Sequence, residues 1–259
     1  MYLSTAHASD RRHGGPGRPA AGATVPLRLA GLCAAGMALT WLVASLVPAV
    51  RFKDAVAVHD FTLLSGPHVE AVAHDLLSLL EPGIFTALGV GLVIVALVRR
   101  RPAVALAVVV VMGLAPLTSE LLKPLLAHAH DQVGAIHIAD ASWPSGHATA
   151  AGALVLCAVL VLPARLRPPV AVFGALFTAA VGCSLLILAW HLPSDVVGGY
   201  LVAALWTSLA VAGLRAHTAH TARLRSQRLG TDRRSAGVVG GAGTPAADGR
   251  AGPVGAGVP

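Results

Sequence analysis

Charge is scarce in this chain of 259 residues: Asp, Glu, Lys and Arg make up 12% of it, about half the share of an ordinary soluble domain. With 55% hydrophobic residues and a mean hydropathy of +0.72, too few polar side chains remain to cover a water-soluble fold. Aromatic residues are few as well, at 4%, which excludes a core built on large rings. Ala, Val, Leu and Gly dominate instead, and small residues let helices approach closely in lipid. The three cysteines, Cys33, Cys157 and Cys183, all lie inside apolar stretches. A disulfide scaffold is thereby excluded, no zinc-ligand spacing surrounds them, and they read as small hydrophobes. Acidic residues number 12 against 19 Lys and Arg, a formal charge of +7. That excess does not indicate nucleic acid, because the cations sit in tails and short loops rather than on an aromatic-bearing surface.

What the chain does have is long apolar runs. Six segments, at about 28–50, 82–98, 103–126, 146–163, 170–190 and 196–214, each approach the ~20 residues that cross a bilayer. The first follows an Arg-bearing region as a signal peptide does, but it is longer than the 7–15 residues of a typical signal core and reads as a retained helix. The expected fold is all-α, a polytopic membrane bundle of six transmembrane helices over residues 26–214. Residues 1–25 and 215–259, rich in Gly, Pro, Ala and Arg, read as disordered cytoplasmic tails. Between the first two spans, Val69, Val72, Ala73, Leu76, Leu77 and Leu80 recur with helical period. They predict a helix lying on the membrane surface.

With six spans, the two tails and the loops at 99–102 and 164–169 share one side, which holds 16 of the 19 Lys and Arg residues. Only Arg51, Lys53 and Lys123 fall elsewhere. The positive-inside rule makes the Arg-rich side cytoplasmic. Asp131, Asp140, His147, His191 and Asp195 then face outward, across what reads as the plasma membrane.

Three segments put polar residues where a membrane protein avoids them. Glu120 and Lys123 close the third span in Thr-Ser-Glu-Leu-Leu-Lys-Pro; taken alone, Lys123 is a lysine reaching for the interface. Trp143-Pro144-Ser145-Gly146-His147 opens the fourth. A helix start offers free N–H groups and a positive dipole end, so Ser145, Gly146 and His147 can cradle an anion; plain capping explains the serine but not the histidine. His191-Leu-Pro-Ser-Asp195 joins the fifth and sixth. A carboxylate four residues after a histidine can hold one ring nitrogen and leave the other as nucleophile or base, or it can simply favour a helix start. All three segments lie on one predicted side.

In this order and spacing the residues resemble the type 2 phosphatidic acid phosphatase superfamily. Its motifs read Lys-x6-Arg-Pro, Pro-Ser-Gly-His and Ser-Arg-x5-His-x3-Asp. The second is intact as Pro144-Ser145-Gly146-His147; the third keeps Ser184, His191 and Asp195; the first keeps Lys123. Both motif arginines are replaced: His130 and Asp131 stand where the first motif has Arg-Pro, and Leu185 follows Ser184. Neither replacement copies the planar, bidentate grip of arginine on phosphate.

The resemblance implies a membrane phosphatase of lipid phosphates or polyprenyl (pyro)phosphates, acting through a phosphohistidine. It gives His191 as nucleophile, Asp195 as its orienting partner and His147 as acid to the leaving alkoxide. Lys123, Ser145 and Gly146 would hold the phosphate, with His128 or His130 offering a single bond in place of an arginine. No cofactor is expected, and the partner is the lipid substrate. His128, His130, Asp131, His137 and Asp140 crowd one loop but match no zinc pattern, and His59, His68 and His74 read as solvated or interfacial. The alternative is a catalytically impaired relative that binds or scaffolds lipid phosphates after losing its arginines.

Overall fold

The computed structural model describes residues 23–131, 133, 136 and 138–240, with side chains as far as Arg225 and at Gln227. Eight α-helices follow in order: α1 Thr24–Leu46, α2 Pro48–Thr62, α3 Pro67–Ser78, α4 Pro82–Val98, α5 Pro102–Leu125, α6 Gly146–Val161, α7 Arg167–Ile187 and α8 Pro193–Gly240. A 3₁₀ turn, Ala164–Leu166, precedes α7. No described residue lies in a strand. Five helices, α2 to α5 and α8, open on proline, whose fixed φ suits a first turn and whose missing N–H costs nothing there.

The protein is an integral membrane protein with an all-α fold. Four helical stretches are long and apolar enough to cross a bilayer: α1, α5, the 3₁₀ turn with α7, and Pro193–Arg225 of α8. A fifth exists if α3 and α4, bent by 50° at their junction, form one span. The count of six rests on α6, whose 16 residues extend about 24 Å, short of a hydrocarbon core of ~30 Å.

α6 is short because it is central. Ala148, Thr149, Ala150, Ala151, Gly152 and Ala153 are all buried, so its small residues are enclosed on every side, as expected of a helix apolar all round. It contributes to both apolar cores, one with Val108, Val111, Cys157 and Val202, the other with Val58, Leu77, Val181 and Leu185. Close approach follows from glycine. A Cβ on Gly152 would stand 2.9 Å from Ala203 Cβ of α8, and one on Gly199 would stand 2.5 Å from the carbonyl oxygen of Ser145.

Three boundaries differ from expectation. The first span ends at Leu46 because Pro48 cannot continue it: Val47 is extended and α2 starts afresh. In α3, Ala73 is buried and Leu77, with Leu80 just beyond the helix, packs in the second core, whereas Val69 and Val72 remain exposed. Its period therefore reports partly a protein contact, not a membrane face alone. Residues 215–240, expected to be disordered tail, are helical; the stretch to Leu229 contains Ala, Leu, Arg and Gln, strong helix formers, and no proline. Residues 1–22 and 241–259, also expected to be tail, lie outside the described residues. The chain divides after Ala216 into two compact units, and Lys123, His147, His191 and Asp195 all belong to the first.

Candidate active site

The corner between α7 and α8 sets the first part of the site. α7 ends with Trp190 N–H donating to Leu185 O at 2.9 Å and Ala189 N–H to Leu186 O at 3.0 Å. Ala189 sits at φ 52°. This double bond pattern with a left-handed residue is the usual way to stop a helix, but glycine normally fills the position. An L-residue there is destabilised by about 1 kcal/mol or more. Ala189→Gly is expected to raise the unfolding temperature by about 2–4 °C in a thermal melt; an unchanged or lower value would mean that contacts of the Ala189 methyl outweigh the strain.

Beyond the corner, His191 precedes the first turn of α8 and Asp195 is in that turn. His191 Nδ1 lies 3.3 Å from Asp195 Oδ2, and the same oxygen accepts Leu192 N–H at 3.0 Å. The carboxylate reaches back to the residue before the helix, as in a capping box, and also contacts the imidazole at Nδ1. Asp195 is fully buried while His191 is 12% exposed, and Nε2 is the ring nitrogen that Asp195 does not engage.

The start of α6 forms the second part. The Trp143–Pro144 peptide is cis, and the Pro144 carbonyl accepts the buried hydroxyl of Ser119 on α5 at 2.9 Å. Ser145 Oγ caps the helix, accepting Ala148 N–H, and Ser145 N–H donates to Asp195 O at 3.0 Å. The Ser145 N–H thereby joins α6 to α8. The helix start is left with the N–H groups of Gly146 and His147, its first two positions, which have no acceptor within the helix.

Lys123, in the last turn of α5, supplies the third part. Its Nζ is 2.7 Å from Glu120 Oε1. A Cβ on Gly146 would stand 2.9 Å from that oxygen and 3.6 Å from Lys123 Nζ, so the pair lies directly over the start of α6. His147 is within electrostatic reach of His191, Lys123, Glu120 and Glu81. Its ring leans on Trp190 at 5.7 Å between centroids, and Trp190 meets His74 of α3 at 5.5 Å. The structure thus brings together Lys123, Gly146, His147, His191 and Asp195.

His128 and His130 stand in a neighbouring polar layer. Their rings meet edge to face at 4.6 Å; His128 Nδ1 donates to Leu126 O at 3.0 Å, and His130 Nε2 is 3.1 Å from Ser142 Oγ. Burial pushes the His130 imidazole below its ordinary value of 6.5, against an opposing pull from Asp195. It is therefore largely neutral at neutral pH and brings no full charge to replace an arginine. Leu185, at the other lost arginine, is fully buried in the second core. Arg51 of α2 pairs with Asp131 at 3.4 Å. Asp54, one turn on, faces Ser194 and Asp195, and burial pushes its carboxyl up. Asp54 Oδ2, Ser194 Oγ and Asp195 Oδ1 are all buried without a hydrogen-bond partner. Among the described residues no three His, Cys, Asp or Glu could share a metal ion; His137 lies outside them.

Sequence reasoning missed Trp190, His74, Asp54 and Ser119. An acidic residue in the otherwise helical 51–81 segment was a usable signal for Asp54. The others become visible only when separate helices meet.

The model of the PAP2 superfamily matches residues 102–218, a stretch that contains α5, α6, α7, the corner and the start of α8. Among solved structures, the chain is similar to the first transmembrane PAP2 type phosphatidylglycerolphosphate phosphatase from Bacillus subtilis, with a TM-score of 0.56 and 21% identity, covering 71% of this chain and 93% of that one. That likeness carries the fold. No curated protein matches the chain.

Proposed function

We propose, from the match of the PAP2 superfamily model to residues 102–218, that the protein is a membrane phosphatase acting on a lipid phosphate or polyprenyl (pyro)phosphate. The observation that carries this is the Asp195–His191 pair beside His147 and Lys123: a binding protein has no need of an imidazole held by a buried carboxylate. With Nδ1–H donating to Asp195, His191 Nε2 carries a lone pair. It attacks the terminal phosphorus, the bond to the leaving oxygen breaks (the lipid alkoxide of a monophosphate, the bridging oxygen of a pyrophosphate), and His147 gives that oxygen its proton, since an alkoxide above all leaves poorly without one. Water then attacks the phosphohistidine, His147 takes a proton from it, and His191 is released with inorganic phosphate. Lys123 and the N–H groups of Gly146 and His147 stabilise the charge on the equatorial oxygens. His130 contributes at most a neutral N–H. No step requires a metal.

The site lies at helix ends, where a headgroup can reach it while the tails stay in lipid. The arginines at 99–101, 165 and 167 stand at the far ends of α5, α6 and α7 from Lys123, Gly146 and His191, which supports a site facing out of the cell. An apolar cavity of about 280 Å³, lined by Met37, Trp41, Leu122, Leu126, Trp143 and Leu205, opens beside the end of α5 and suits part of a lipid chain.

The test is turnover. Protein purified in detergent is given phosphatidic acid, phosphatidylglycerolphosphate and an undecaprenyl pyrophosphate in the presence of a chelator, and released phosphate is measured. Release from at least one is expected. Tight binding of these lipids without release would favour the second reading, a lipid-phosphate binder, for which the buried leucine at 185 and the neutral His130 speak. Neither binding nor release would sink both.

A further inference from the structure

The cradle over α6 already holds an anion of the protein's own. Glu120 Oε1 is 2.7 Å from Lys123 Nζ and would lie 2.9 Å from a Cβ at Gly146. It stands at the helix start whose N–H groups the reaction needs, within electrostatic reach of His147. A carboxylate presents two oxygens to such a site much as a phosphate presents three. The Glu120 side chain is nevertheless 59% exposed, so nothing encloses it and it can turn out into solvent.

Building on the phosphatase reading above, we propose that Glu120 is an internal competitor for the phosphate subsite: it neutralises Lys123 and covers Gly146 in the free protein, leaves when a phosphate enters, and returns to expel inorganic phosphate after turnover. The physical need is clear. Lys123 is the one Lys or Arg among the residues gathered at this site, and a bare ammonium beside free helix N–H groups would retain the inorganic phosphate that each cycle leaves behind. A carboxylate tethered three residues away on the same helix is always present at high local concentration. Because the ion pair is exposed, its hold is modest and substrate can displace it.

Inorganic phosphate is the probe. Its affinity is read as inhibition of lipid turnover and, independently of turnover, as the rise in unfolding temperature with phosphate concentration. Glu120→Gln is expected to bind inorganic phosphate about two- to fivefold more tightly, the scale of an exposed ion pair, and to lower KM by a similar factor. Its kcat should hold or fall where phosphate release limits the cycle. Glu120→Asp separates occupancy from charge. It keeps the negative charge but is one methylene shorter, so it should behave like Glu120→Gln if the carboxylate must reach the cradle. Phosphate affinity that is unchanged or weaker in Glu120→Gln, or wild-type behaviour of Glu120→Asp, overturns the inference while turnover persists. Neither turnover nor phosphate binding in any variant overturns the phosphatase reading with it.

Discussion

His191→Ala is expected to lower phosphate release by about three orders of magnitude or more, with the protein still folded. The size follows from what is removed. In a covalent mechanism the nucleophile is not one contributor among several: without it the two-step route closes, and what remains is the residual effect of binding and charge stabilisation. Folding is spared because the His191 ring, unlike Asp195, is not part of the scaffold. Asp195 Oδ2 also holds Leu192 N–H, and Asp195 O accepts Ser145 N–H, so the start of α8 keeps two of its ties when the ring is gone. The measurement is phosphate release from the best lipid substrate, with a thermal melt beside it. The same variant should fail to acquire label from a ³²P-labelled substrate under conditions that preserve acid-labile phosphohistidine. Retained turnover, or label that persists in His191→Ala, would remove the nucleophile from this position.

Asp195→Asn is the informative companion. Groups that act as one unit are strongly non-additive, so the double variant His191→Ala/Asp195→Asn should be no slower than His191→Ala alone. Asparagine can still accept Leu192 N–H through its oxygen, but it carries no charge to support an imidazole that becomes positive as it attacks. The capping and the orienting roles of Asp195, which share one oxygen, would thereby separate.

How much of this could be read from the sequence depends on how local each feature is. An apolar run of about twenty residues is a one-dimensional signal, and four of the six expected segments fall on a helix within a few residues at each end, while the helix over the last runs on to Gly240. The first shifted because the run continues through Pro48 while the helix cannot. The His191–Asp195 pair was legible too, since four residues along one turn fix who meets whom. Ser145 was not. Its hydroxyl behaves as the local pattern requires, but the fate of its N–H is decided by Asp195, fifty residues on. The same holds for Asp54 beside Ser194 and for Trp190 between His74 and His147. Such pairings are chosen by helix packing, and packing in this chain is chosen by where glycine lets two backbones touch.

That dependence yields the second large effect. Gly199→Ala should abolish activity and destabilise the fold, whereas Gly213→Ala, on the same helix, should do neither. A Cβ at 199 would meet the Ser145 carbonyl oxygen at 2.5 Å, Ala148 Cβ at 2.9 Å and Thr149 N at 3.0 Å. Two of those three atoms are backbone of the first turn of α6, which cannot turn aside as a flexible side chain would. The helices must separate, at a cost of about 1–3 kcal/mol for overpacking. Activity falls further than stability, because the displaced elements are the ones that carry His147, Gly146 and the Ser145–Asp195 bond. A shift of ~1 Å in reacting groups can cost about 10²-fold in rate. At Gly213 an added Cβ meets nothing within 4 Å, so alanine gains helix propensity without a clash. Comparing kcat and unfolding temperature for the two variants removes the generic effect of the substitution. If Gly199→Ala kept wild-type turnover, α8 would not be seated on α6 at the site, and the alignment of His191 with His147 would have to come from elsewhere.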